Sequence, residues 1–341
     1  MLPMNPVRFV RIVSVLAAAL TVCGLQMQAQ QLSRRDWVDL AKARAGRQAS
    51  PQAAAPSPKA DGTFITVDVP NSCGTTLEGI NSRGDIIGQY ADCAFQGHNF
   101  LWRNGVFTYI DPPGCFGDGG FASTEMGIND PGDIVGTCVD SNGFHGFLLS
   151  KGSYTILDAP GAAGFTEASG INPKGDIVGA FSDSSGNLHG FLLSKGEYSV
   201  IDVPGAVPPA QTQATAINPN GDILGTYQPG GRNTGFLLSG GVFSTFQIPG
   251  EVTFPNGMNP RGDIVGAVCC GTLPGGSFLL SNGIKAIEHH LPFDVTNFDA
   301  PGSCGGCTIA YDINPQGDII VGTYFDNNFN THGFLLMLKK N

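Results

Sequence analysis

The chain of 341 residues holds 49 Gly and 23 Pro, yet 41% of it is hydrophobic, which excludes collagen-like repeats and wholesale disorder. Its net charge of −10 is unevenly spread: residues 1–60 hold eight of the 18 Lys and Arg but two of the 28 acids, leaving 61–341 at −16. A field of that sign repels nucleic acid and anionic lipid, so neither is an expected partner.

The first predicted element is an export signal over residues 1–29. Arg8 and Arg11 precede an apolar run at 12–25, and Ala29 offers a small residue for cleavage. The run is too short for a transmembrane helix, and no later segment is apolar for long enough. Cys23 allows a second, lipoprotein reading, weakened because Val22 is larger than the residue such processing prefers. Over 30–60, Ser33 caps a short helix reaching Ala45, and an Ala-, Pro-, Gln- and Ser-rich linker follows.

From residue 61 the chain repeats. The segment Gly170-Ile171-Asn172-Pro173-Lys174-Gly175-Asp176-Ile177-Val178-Gly179 recurs around Asn81, Asn129, Asn172, Asn218, Asn259 and Asn314. The spacings of 48, 43, 46, 41 and 55 residues are near one propeller blade. Each Asn is followed by the Asp of a Gly-Asp pair, namely Asp85, Asp133, Asp176, Asp222, Asp263 or Asp318. A second landmark is a His-Gly-Phe-Leu type segment at His98, His145, His189 and His332, with looser copies at Thr234 and Gly276. The third is an Asp-x-Pro type segment at Asp68, Asp111, Asp158, Asp202 and Asp299, with Gln247 in the fourth copy.

Turn chemistry divides one copy into four strands, predicted at 166–172, 176–183, 188–194 and 197–203. Thr75, Ser123, Thr166, Thr212, Thr253 and Thr308 stand six residues before each Asn. Small residues dominate two before it, which suits an innermost strand crowding an axis. The repeat region opens with an isolated fourth strand, 63–69, and ends after a third strand, 331–338. In a ring the N-terminal strand completes the last blade and hides both edges, so the expected fold is an all-β six-bladed propeller. A β-solenoid or prism-like array is the alternative, although no distinct caps are visible.

The Gly-Ile-Asn-x-x-Gly-Asp-Ile-Val-Gly and His-Gly-Phe-Leu-Leu segments resemble the HAF repeat of bacterial extracellular proteins, over about residues 61–341. The resemblance implies export and a propeller-like fold, and it supplies no catalytic residues. Repeat 4 departs from it with Thr234 for the His, and repeat 5 keeps neither the His nor the Gly in phase.

Without Cys23 eight cysteines remain, and an even number in an exported protein predicts disulfides. Cys73 and Cys115 follow fourth strands, while Cys93 and Cys138 follow second strands. Those loops share one face of a meander, which predicts Cys73–Cys93 and Cys115–Cys138. Cys269, Cys270, Cys304 and Cys307 are expected to pair among themselves. With His289 and His290 between them they are also a weak zinc-site candidate, and Cys304-x-x-Cys307 a weak redox candidate.

The eleven landmark acids read as structural, bonding nearby backbone amides, because one active site does not need six copies. The four histidines either ring a site or satisfy loop carbonyls, and the second is expected because two copies lack them. Unrepeated acids on the first strand, Glu78, Glu125, Glu167 and Asp312, are the candidates for an acidic channel mouth, at offsets that need not converge. Arg83-Gly84-Asp85 and Arg261-Gly262-Asp263 spell an adhesion tripeptide but read as accidents of the turn.

The reading is a monomeric secreted, periplasmic or cell-envelope module. It is a non-enzymatic binding, interaction or structural module whose partner is an unknown extracellular glycan or protein, without a cofactor or assigned catalytic residue. A carbohydrate-active hydrolase or lyase is the alternative.

Overall fold

The computed structural model describes residues 60–94, 96–115, 126–206, 211–229, 232–269, 276–292 and 294–339, with the Cys269 side chain left out. The expected signal, helix and linker, with Cys23, Ser123, Glu125 and Cys270, lie outside the described residues.

The protein is a six-bladed β-propeller of four-stranded antiparallel sheets. After β1 (Gly62–Val67), blade 1 comprises β2 (Gly74–Ile80), β3 (Ile86–Ala91), β4 (Gly97–Arg103) and β5 (Val106–Tyr109). Blade 2 holds β6 (Gly127–Ile128), β7 (Ile134–Asp140), β8 (Gly143–Ser150) and β9 (Ser153–Leu157). Blade 3 holds β10 (Thr166–Ile171), β11 (Ile177–Ser182), β12 (Leu188–Ser194) and β13 (Glu197–Ile201). Blade 4 holds β14 (Thr212–Ile217), β15 (Ile223–Tyr227), β16 (Thr234–Ser239) and β17 (Val242–Phe246). Blade 5 holds β18 (Val252–Met258), β19 (Ile264–Cys269), β20 (Gly276–Leu280) and β21 (Val295–Phe298). Blade 6 holds β22 (Ser303–Ile313), β23 (Ile319–Asp326) and β24 (Thr331–Leu338), and β1 completes it.

That closure follows the expected one-strand permutation. β1 pairs antiparallel with β24 from Gly62↔Leu338 to Val67↔Gly333. At one end of the seam Lys339 Nζ lies 2.6 Å from Asp61, and at the other His332 Nδ1 lies 2.9 Å from Asp68.

Within a blade the landmarks explain themselves. Phe100, Phe147, Phe191, Phe236, Phe278 and Phe334, from the His-Gly-Phe segments, are almost wholly buried, one per blade. Second strands are buried on both faces, as at Ile177 and Val178, because each sheet packs between two others. The repeated threonines do more than fit a crowded axis. Thr75, Thr166, Thr253 and Thr308 each accept the N–H of the residue before the Asp-x-Pro proline, at 2.9–3.2 Å. They thereby satisfy buried backbone where one blade hands the chain to the next.

Sequence reading missed one element, a short helix α1 (Gly283–Glu288) where other blades have a hairpin turn between third and fourth strands. It packs Ala286 and Ile287 inward, and Ile287 joins a core with Ile264, Phe278 and Leu280.

Candidate functional site

An antiparallel meander sends its loops to two faces. Turns between first and second and between third and fourth strands leave one face, here the asparagine face. The remaining loops leave the other, the cysteine face.

On the asparagine face each landmark Asn builds its own turn. Asn172 Oδ1 accepts the N–H groups of Lys174 and Asp176, and its Nδ2 donates to the Asp176 carboxylate at 2.9 Å. The same Asn-to-Asp bond recurs in all six blades at 2.8–3.1 Å. Asn81 and Asn129 also donate to the carbonyl oxygens of Asn129 and Asn172, stitching neighbouring blades. Asp85 is buried and held by Arg83 and Arg103, whose hydrogen bonds outweigh desolvation and lower its pKa to about 2. An Arg-Gly-Asp tripeptide with its carboxylate so engaged is not displayed for adhesion.

The cysteine face departs from the sequence reading. The four histidines bind carboxylates rather than loop carbonyls, and their partners are the Asp-x-Pro aspartates. Nδ1 distances are 2.9 Å for His98–Asp111, 2.7 Å for His145–Asp158, 3.0 Å for His189–Asp202 and 2.9 Å for His332–Asp68. A second carboxylate, at or just past the end of the second strand, approaches Nε2 in three blades. These are Asp140 at 3.1 Å, Asp183 at 3.5 Å and Asp326 at 3.7 Å. The sequence carried a signal for this unit. In blade 4 all three positions lose their charge together, becoming Pro229, Thr234 and Gln247. Asp299 of blade 5 has no histidine opposite and instead accepts the Gly306 N–H and the Thr308 hydroxyl.

These clusters set a pH dependence. The hydrogen bond to Asp158 raises the His145 pKa, and for His189 the Asp202 and Asp183 carboxylates outweigh the burial that would lower it. Local N–H donors lower Asp140, and they bring Asp183 and Asp326 down to about 2. Histidines raised on folding stabilise below their ordinary range, and that contribution is lost as pH climbs through the raised values. The lowered carboxylates contribute above about pH 4 and lose it as pH falls toward about 2. Urea midpoints should therefore be higher at about pH 5.5 than at about pH 9. In the His145→Asn/His189→Asn variant the alkaline decline should shrink; an unchanged decline would assign it to other groups.

Among the described residues, the disulfides Cys73–Cys93, Cys115–Cys138 and Cys304–Cys307 also lie on this face. The zinc candidate does not assemble. Cys304 and Cys307 are consumed by their own bond, and His289 and His290 follow α1 on the opposite face, one strand length away. Among the described residues no group of three or more His, Cys, Asp or Glu could hold a metal.

The ring surrounds a half-open central cavity of about 100 Å³, room for several waters. In five blades a β-bulge sits three residues before the landmark Asn, so a single unpaired residue is re-aimed. Those residues, Glu78, Ser169, Thr215, Asn256 and Tyr311, line the cavity, with Met126 at the equivalent place in blade 2. Every one differs, whereas the following position is Gly in four of the six blades, with Ala216 and Asp312 in the others. No repeated residue marks this position, and of its six occupants only Glu78 stood out in the sequence, as an unrepeated acid.

Of the predicted acids, Glu78 and Asp312 line the cavity, whereas Glu167 is buried beside Ser169. Asp312 takes the place of a small residue and reaches across the closure, accepting the Ile80 N–H at 3.0 Å and the Ile313 N–H at 2.8 Å. Part of its surface faces the cavity, but protein surrounds it. Desolvation pushes its pKa up to about 7 against those hydrogen bonds.

The fold and these two faces define a β-propeller with a disulfide-pinned rim. No family model and no curated protein sequence matches the chain. Solved structures do. A provisionally assigned gluconolactonase aligns at 12% identity over 83% of this chain and 94% of its own, with TM-score 0.51. A provisionally assigned TolB from Agrobacterium tumefaciens aligns at 11% identity over 78% and 91%, with TM-score 0.51. The Aleuria aurantia lectin bound to α-methyl-L-fucoside aligns at 12% over 80% and 93%, with TM-score 0.48. At such identity the likeness shows the fold alone.

Proposed function

We propose that the chain is an exported, non-enzymatic binding module of HAF-repeat type that presents its cysteine face to an extracellular glycan or protein. The observation that carries this reading is that, among the described residues, the three disulfides and the four His–Asp pairs concentrate on that face. Cross-links that hold loops in one shape reduce the ordering cost of binding. Disulfides also suit an oxidising compartment, and among the described residues no helix is long and apolar enough to cross a membrane. Glycan and protein arrays probed with residues 30–341 should show a partner, and substitutions on the asparagine face should leave that binding intact. Equal loss from both faces would sink the reading.

One observation favours a second reading, a carbohydrate-active enzyme: Asp312, near pKa 7 beside Glu78 in the cavity, could exchange protons at neutral pH. The cavity is open on one side, so substrate would approach these acids from its mouth. Polysaccharide turnover abolished by Asp312→Asn and by Glu78→Gln would replace the first reading with this one.

A further inference from the structure

The loops joining second to third strands offer an internal comparison. In blade 3, Asp183 Oδ1 accepts the N–H groups of Ser185 and Asn187, its Oδ2 accepts Asn187 Nδ2, and Gly186 N–H returns to the Asp183 carbonyl. In blade 6, Asp326 Oδ1 accepts the N–H groups of Asn328 and Asn330, its Oδ2 accepts Asn330 Nδ2, and Phe329 N–H returns to the Asp326 carbonyl. The two turns are the same bond for bond. Each needs a left-handed residue at its tip, with φ +81° at Gly186 and +62° at Phe329. Glycine suits that conformation, and a bulky aromatic residue is an outlier there.

Phe329 gains nothing from the turn. It is 62% exposed, so it adds no core, and its backbone is strained where blade 3 uses glycine. Strain kept at an exposed loop tip points to a role outside the fold. The surroundings indicate the partner. Exposed Asn327, Asn328 and Asn330 place amide donors and acceptors around one aromatic ring. The charge of −16 over residues 61–341 opposes polyanions. One ring in an amide surround is far smaller than the ~800 Å² per partner of a protein interface. It matches a neutral sugar, which has an apolar C–H face to lay on the ring and hydroxyls for the amides.

We propose that Phe329 is the stacking platform of a neutral-glycan subsite on the cysteine face, formed with Asn328 and Asn330. This rests on the binding-module reading above and names its ligand class. The test titrates residues 30–341 with cellohexaose and chitohexaose, using polygalacturonate as the anionic control, on wild type, Phe329→Gly and Phe329→Trp. At least one neutral hexasaccharide should bind. Phe329→Gly should weaken it about tenfold or more while raising the melting temperature by about 2 °C, and Phe329→Trp should retain it. A structural role would move stability the other way. Unchanged affinity in Phe329→Gly, or no hexasaccharide bound, overturns the glycan subsite. A protein partner captured on the same face would then leave the binding-module reading standing, and no partner of either kind would overturn both.

Discussion

A chain beginning at residue 71 should fail to form the closed ring, whereas one beginning at residue 60 should fold as the full chain does. The lost segment supplies all six register pairs of β1 with β24. It also supplies Val67 and Val69, which are buried with Leu77, Ile80, Phe100 and Val321 at the seam between blades 6 and 1. Phe64 packs its ring 5.6 Å from Phe334 and 6.3 Å from Phe298. Fully burying an aliphatic or aromatic side chain contributes about 1.5–3 kcal/mol, so Val67 and Val69 with the half-buried Phe64 supply a large part of the 5–15 kcal/mol stability of a typical domain. Deletion also bares β24 as an unpaired edge. Near-ultraviolet circular dichroism and urea unfolding would check this; a cooperative transition at the wild-type midpoint in the shorter chain would show that closure does not hold the ring together.

The second large effect is expected at a glycine. Each second strand reads apolar-apolar-Gly, and that Gly lies beside the bulge of the first strand. A Cβ on Gly225 would stand 2.1 Å from the Gln213 carbonyl oxygen and 2.6 Å from the Phe236 ring. The same backbone encounter recurs at Gly88, Gly179, Gly266 and Gly322, at 1.9–2.1 Å. Gly225→Ala should therefore cost about 3 kcal/mol through overpacking that a backbone cannot relax. Gly196→Ala, at φ +83° with nothing within 4 Å, should cost only about 1 kcal/mol from conformation. Denaturant titrations of the two variants would check the ranking, and equal losses would show that the bulge yields.

The six-fold repeat, the permuted register and the Cys73–Cys93 and Cys115–Cys138 pairs were legible because each rests on local chemistry at fixed order. A Gly-Asp turn after Asn looks alike in every copy, and loops that share a face can be counted along a meander. The His–Asp pairs needed register, since the partners stand 13 residues apart on adjacent strands and 264 apart at the seam. Only the joint loss in blade 4 betrayed them. Apart from Glu78, the bulge residues were hidden for the opposite reason: five aim at one cavity through a backbone irregularity that no side-chain pattern encodes. Helix α1 replaces a two-residue turn in one copy, so repetition predicted against it.

The seam also sets the order of assembly. β1 is the first strand of the ring to be synthesised, and its partner β24 lies about 270 residues downstream. Every other sheet can pair with strands made moments before, whereas β1 must wait for the last one. Contacts of such separation are reached late and after a large loop-closure cost. Blades 1 to 5 can consequently be in place while the sixth still lacks its outer strand. The slow and aggregation-exposed step of biogenesis is therefore the meeting of the chain's two ends, after the whole repeat region has been delivered.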